Sequence, residues 1–459
     1  MKTVKYIWIA LVLLTRNQCF SQTWLPVGGG IGCLNGEYVW DLSLSSDSTK
    51  LLAAGAIYTD GECDTTCAVL SWDGVSYEPV AACGIGTEAH SVFSYYDQIY
   101  CVGLLVDQDL ATNSPNDFNV ENNSVWDTVP YGMTGVVMET INHEDVIYLT
   151  GSISQCGDIP CSLVCKYDGS VVEPVYTGPE LSIGLGIAYF QDTLYVAGTF
   201  NNISTDPPNG IGKCCKVVNG SLERLGAGFE TLGIGTSLVE FQDKLYIGGN
   251  LKEFGTNDLH TIYYYENGEL HHLSEEPDDL VFVMKSYQGG LFVAGDFHHI
   301  GSMPCEHVAR WDGLEWTCLC NDPFYILDSL PCEFQCIKDL EFWNDTLYVA
   351  GVFNHIGLTE TKRIAKLDLN LSEAFPTSID VINAAPLKIY PNPTNGLITL
   401  SGPPSGVEFS VRICDSLGQL VFASNNSLQI DISSFSAGIY FLHYQDQNRC
   451  STISFIKQF

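Results

Sequence analysis

The chain has 459 residues and a formal net charge of −34, with 46% hydrophobic and 12% aromatic residues. That apolar content excludes a disordered polymer, and the acidic surface makes nucleic acid and anionic membranes poor partners. Gly is abundant at 43, Met scarce at 5, and helical periodicity is hard to find, so an all-β protein rich in turns is expected.

The first 22 residues read as a secretory signal peptide. Lys2 and Lys5 precede an apolar run from Tyr6 to Leu14, too short to span a bilayer, and a polar stretch leads to a cleavage point near Ser21. Cys19 does not suit a lipid anchor, because Arg16, Asn17 and Gln18 precede it where small apolar residues are wanted. No later stretch is long and apolar enough for a transmembrane helix.

From Thr23 to Asn370 one phrase recurs seven times: an apolar strand ending in glycine, at Gly55, Gly103, Gly151, Gly198, Gly249, Gly295 and Gly351. The copies lie 46 to 56 residues apart, the period of a four-stranded propeller blade. An alternating strand precedes each copy, and most are followed by a strand ending in Asp-Gly or Asn-Gly, as in Ser71–Gly74 and Arg310–Gly313. These pairs are expected to form two-residue hairpin turns. The seventh repeat has no fourth strand, whereas Thr23–Gly30 matches one and stands before the first repeat. The expected fold of residues 23–370 is therefore a seven-bladed β-propeller closed by the N-terminal strand, which removes exposed sheet edges. The segment His307–Leu319 resembles Kelch-like and galactose-oxidase-central-domain-like propellers, a likeness of fold that assigns no function.

The turns within the repeats are short, while the connections at the other end are long and varied, so a glycan or protein ligand is expected on that loop face. Fifteen of the 18 cysteines lie in the repeats, and in an exported protein they are expected to pair. Cys63–Cys67 and Cys156–Cys161 are the local candidates, followed by Cys318 or Cys320 with Cys332 or Cys336. Asp60, Glu62 and Asp64 alternate in one loop and offer oxygen ligands of the kind calcium takes, but the fixed Gly and distal Glu of an EF-hand are not in place. The expectation is no metal and no cofactor. His298, His299 and His355 occupy a repeat position that also holds Asn, Lys and Glu, so they read as structural or surface residues.

No Gly-x-Ser-x-Gly, His-Glu-x-x-His or phosphate loop is present. Catalysis is accordingly not expected, with one alternative: a hydrolase or lyase whose paired carboxylates, distant in sequence, meet near the ring axis.

Leu371 to Pro386 carries no repeat and reads as a linker. Residues 387–459 form a small β-sandwich pattern. A short strand runs into Tyr390, Pro391, Asn392 and Pro393, then a turn at Gly396, a second turn from Asp415 to Gly418, a strand opening at Gly438 and Tyr440, and a last strand carrying Lys457. This order of motifs, covering the whole tail, resembles the type A C-terminal sorting domain of the type IX secretion system of Bacteroidetes. The resemblance implies recognition of those residues by the secretion machinery, passage through both membranes, and a mature protein on the cell surface or in the medium.

Overall fold

The computed structural model describes residues 24–31, 38–58, 66–83, 88–104, 118–178, 183–200, 212–327, 330–331, 336–357, 359–369, 388–394, 396–401, 409–415, 420–425, 427–446 and 450–458. The chain divides into two compact units, Met1–Leu369 and Asn370–Phe459. The expected signal peptide and linker lie outside the described residues. All described regular structure is β, and no helix among the described residues is long and apolar enough to cross a membrane.

Among the described residues of the first unit, seven antiparallel sheets run four strands in simple up-and-down order, the third carrying Ile159–Pro160 as an added short strand. Their first strands are Tyr38–Leu44, Glu88–Tyr95, Met133–His143, Gly184–Phe190, Phe229–Phe241, Val281–Tyr287 and Ile337–Trp343. Each first strand lies against the first strand of the next sheet, and that of the seventh also lies against that of the first. The seventh sheet takes its outer strand from Leu25–Pro26, which pairs with Ile364–Asp368. The same N-terminal segment buries Val27 and Ile31 in a core shared with Val39, Trp72, Trp343 and Ile364. Trp24 donates its indole N–H to the Leu319 carbonyl at 3.1 Å.

One steric device recurs in all seven sheets. The repeat glycine of each second strand pairs with the first strand just before a β-bulge, as Gly55 does with Val39 and Gly151 with Val137. A Cβ at any of these glycines would sit 1.9–2.2 Å from a carbonyl oxygen in the first strand or of the residue just before it, for example that of Val136 opposite Gly151 at 2.0 Å. The bulge leaves one extra residue per sheet: Trp40, His90, Met138, Leu185, Thr236, Phe282 and Lys338.

The turns differ from the expected pattern. Asn219-Gly220 and Asn267-Gly268 do form two-residue turns with both residues at positive φ. The Asp-Gly pairs do not. Trp72 faces Tyr77 across a four-residue loop in which only Gly74 has positive φ, because the Asp73 carboxylate accepts the Val75 and Ser76 N–H groups at 2.8 Å each. Asp168 and Asp312 repeat this Asx turn. The left-handed pairs appear mainly between first and second strands instead, at Tyr96-Asp97, Glu144-Asp145, Gln191-Asp192, Gln242-Asp243, Gln288-Gly289 and Asn344-Asp345. Two short additions were not legible in the repeat: the hairpin His299–Ile300 with Met303–Pro304, and a small sheet built on Phe324–Leu327 and His355–Ile356.

The second unit packs a sheet of Lys388–Tyr390, Leu397–Ser401 and Gln429–Asp431 and a four-stranded sheet around one core of Ile389, Ile398, Val411, Ile430, Leu442 and Phe455.

Replacing Gly151 by Ala forces a methyl group into the Val136 carbonyl, and the strand pair must separate at the bulge. The expected cost is about 3 kcal/mol of unfolding free energy, read from the shift of the denaturant midpoint.

Candidate functional site in the central channel

The bulges aim the extra residues and their successors at the neighbouring sheet. Two layers result along the line where the seven first strands meet. At the bulges, Lys338 lies over the Trp40 ring at 4.5 Å and the Phe282 ring at 5.8 Å, and Trp40 meets His90 at 5.5 Å. The Trp40 indole donates to Glu88 Oε1 at 3.2 Å. Burial among these rings lowers the Lys338 pKa to about 8, with Asp296 opposing the shift.

The residues after the bulges tie the sheets together. Asp339 Oδ2 accepts the Leu42 N–H at 2.8 Å, Asp41 Oδ2 accepts the Val92 N–H at 2.7 Å, and Ser237 Oγ accepts the Met284 N–H at 3.0 Å. Each bond runs from one sheet to the next. In a propeller-like arrangement the first strands have no sheet partner on the axis side, so side-chain acceptors at this position satisfy backbone donors there.

Four carboxyl groups from three sheets and one lysine converge: Asp41, Glu139, Asp339, Glu341 and Lys285. Lys285 Nζ is 2.7 Å from Glu341 and 3.9 Å from Asp339. Desolvation pushes Asp41 well above the usual carboxylate range, with the nearby charges of Asp339 and Glu139 adding to it, and raises Asp339 with Lys285 opposing. Glu139 rises to about 8, first through desolvation and then through Asp339, with Lys285 opposing. The carboxylates of Asp339 and Glu341 hold Lys285 protonated despite burial. Glu139, Ser237, Lys285 and Glu341 line a cavity of ≈ 380 Å³ together with Tyr287 and Phe342, whose rings stack at 4.1 Å. That volume falls in the range of roughly 300–1,000 Å³ that accommodates small ligands.

The cavity runs from the bulges toward the turns between first and second strands. It does not lie at the ends carrying the long connections, where sequence reasoning placed the ligand. Most of those connections, including Asp60, Glu62, Cys63, Asp64 and Cys332, are outside the described residues. The signal that marks the channel is a polar residue at one fixed place in an otherwise apolar strand, twelve residues before the repeat glycine at Ser91, Glu139, Ser237 and Asp339.

The cysteines correct two expectations. Cys67 bonds Cys83, at a Cα separation of 4.4 Å, and not Cys63. Its place in the third strand of the first sheet sets it beside the segment leaving that sheet. Cys318 bonds Cys305, leaving Cys320 a buried free thiol and not a disulfide partner. The structure joins Cys156 to Cys161, and Cys336 is disulfide-bonded. Cys101, Cys165, Cys214 and Cys215 are buried free thiols.

In the tail, Tyr390, Pro391, Asn392 and Pro393 are exposed. Asn392 Oδ1 accepts the Ile456 N–H at 3.0 Å, and Thr394 bridges to Lys457. Lys457 is buried and donates to the Gln458 carbonyl at 2.6 Å. The Tyr440 ring stacks on Phe455 at 5.7 Å and its hydroxyl donates to the Ser436 carbonyl. Gly396 and Gly438 lie in the ordered strands and turns, Asp415 pairs with Tyr440, and Gly418 is outside the described residues.

Residues 388–458 match the family model of the secretion system C-terminal sorting domain. No curated protein matches the chain. Among solved structures, the extracellular domain of BT4673 from B. thetaiotaomicron is similar at 11% identity and a TM-score of 0.47, covering 96% of this chain and 59% of that one. A second structure of that extracellular domain gives 11% identity and a TM-score of 0.45, over 95% and 58%. The chain thus spans less than two thirds of those structures. The beta-propeller domain of the Trilobed protease from Pyrococcus furiosus is similar at 11% identity and a TM-score of 0.45, covering 73% of this chain and 96% of that one.

The raised pKa of Glu139 fixes a sign. A carboxyl whose folded pKa exceeds its unfolded value stabilises the fold below about pH 4.5, and that contribution disappears as pH rises through about 8. Glu139→Gln removes the ionisation. The variant should therefore gain stability relative to the parent chain as pH rises, its unfolding free energy minus the parent's being larger at pH 8 than at pH 5, measured by urea denaturation at both pH values.

Proposed function

We propose that this chain is an exported binding protein; the match of residues 388–458 to the secretion system C-terminal sorting domain implies a secreted or surface-displayed protein. We propose that the sheets of the first unit form a seven-bladed propeller closed by Leu25–Pro26, and that it is an exported, non-catalytic module binding a glycan or a protein. Closure is supported by the pairing of Leu25 with Lys366 and by the core that Val27 and Ile31 share with both flanking sheets. Calcium or another cofactor plays no part in this reading.

The observation that carries the binding role is the cavity itself. It combines fixed polar groups with the stacked pair Tyr287 and Phe342, the mixture that recognises a sugar ring through hydrogen bonds and an apolar face. Asp41 and Asp339 are committed to backbone donors of the next sheet, and Glu341 to Lys285, which suits a rigid binding site. The long connections at the other end remain a second surface for the same partner.

One observation favours the alternative of a secreted hydrolase or lyase. Glu139 carries its proton near neutral pH and shares the cavity with Glu341, which is paired to Lys285, so an acid and a carboxylate face one space.

A glycan array probed with the exported protein, followed by a product assay on the glycans it retains, separates the two. Retention without bond cleavage supports binding alone. Cleavage that Glu139→Gln abolishes establishes the enzyme. For the tail, removing residues 388–459 should hold the protein in the periplasm, with the full chain found at the surface or in the medium by cell fractionation.

A further inference from the structure

The second strand of the sixth sheet, Gly290–Gly295, leads into Phe297, His298 and the hairpin His299–Ile300 with Met303–Pro304. The hairpin brings the chain back to Glu306 and His307 beside its own start. Cys305 donates its N–H to the His298 carbonyl at 2.8 Å, and Glu306 donates its N–H to the Cys320 carbonyl at 2.8 Å. The Cys305–Cys318 disulfide holds the return strand at the same point.

His307 is buried and sits at φ 61, in the left-handed region. The fourth and seventh sheets have Lys213 and Arg363 at this position, also buried and at φ 59 and 73. Their side chains donate to the Thr199 and Val352 carbonyls, capping the end of the second strand. His307 does the same through Nδ1, 2.8 Å from the Gly295 carbonyl oxygen. A carbonyl only accepts, so the proton is on Nδ1 and the Nε2 of the neutral ring presents a lone pair. Unlike Lys or Arg, histidine thus keeps a second functional atom after the structural role is filled.

That atom faces Glu306 Oε2 at 3.8 Å, and the same oxygen is 2.6 Å from His298 Nδ1. All three ligand atoms lie within 4.8 Å of one another. A lone pair and a carboxylate so placed are satisfied together by a cation. We propose that His298, Glu306 and His307 form a binding site for a divalent transition metal, zinc by preference. Two imidazoles and one carboxylate are the donor set zinc takes, and calcium, which prefers oxygen ligands, suits it poorly. The carbonyl behind His307 is the backing that orients a metal-bound imidazole. His298 is exposed, so the fourth position is open to water or to a ligand atom. The neighbouring group of Asp296, His307 and Cys336 does not compete, because Cys336 is in a disulfide and has no thiolate to offer. A bound metal would clamp the hairpin onto the sixth sheet.

The test is isothermal titration of Zn²⁺ into the metal-stripped full chain, with Co²⁺ visible absorption as a report on geometry. The expected result is one stoichiometric site, weakened about ten-fold or more by His298→Ala and by Glu306→Gln. His299→Ala should retain it, since His299 pairs with Asp278 and not with the cluster. Thermal melts without metal check that the variants fold, and added Zn²⁺ should raise the melting temperature of the parent chain but not of His298→Ala. The proposal is overturned if the parent chain shows only weak, non-stoichiometric uptake on its acidic surface, or if His298→Ala and Glu306→Gln bind as the parent does.

Discussion

A missing methyl group organises the first unit. At the repeat glycine of each second strand, the backbone approaches a carbonyl in or just before the first strand so closely that a Cβ would stand about 2 Å from the oxygen. Only glycine permits that approach, and the approach accompanies a bulge at the same point in all seven first strands. The glycine that makes the repeat visible in the sequence is therefore also the residue that shapes the channel. It lets one residue per sheet be expelled from the ladder toward its neighbours.

From that displacement the rest follows. The expelled residues meet in a layer where Lys338 is stacked between aromatic rings. Their successors carry acceptors to backbone donors of the next sheet, so Asp41 and Asp339 act as staples before they act as charges. Gathering such groups near one axis concentrates carboxyls. The resulting field keeps protons on some of them and holds Lys285 charged. Like charges gathered among buried groups are common in binding and catalytic cavities, and their presence here distinguishes this region from the uniform turns around it.

Much of the architecture was legible because it depends on local chemistry. Period, alternation and glycine position gave the sheets, and the N-terminal strand showed itself by its likeness to the strand the seventh repeat lacks. The turns were less legible. Asp-Gly and Asn-Gly look equivalent as letters, but a carboxylate can accept two backbone N–H groups and an asparagine left in the αL region serves a two-residue turn. Asp73 and Asn219 took different routes for that reason. The cysteines were misread in the same way: Cys63–Cys67 is near in sequence, whereas Cys67 and Cys83 are near in space.

The sequence by itself determined the strand repeats, the acidic surface and the sorting tail, because each is written in contiguous residues with a fixed physical meaning. The tertiary structure alone decided which residues meet. Asp41, Glu139, Lys285 and Glu341 are separated by tens to hundreds of positions and come together only because the first strands of consecutive sheets pack on one another. His298 likewise reads as a structural or surface residue in its own repeat, and nothing in the repeat singles out His307. The short hairpin His299–Pro304, a capping bond to Gly295 and a disulfide at Cys305 turn them toward one carboxylate. Convergence of this kind depends on distances across the fold, and no local pattern of residue types records it.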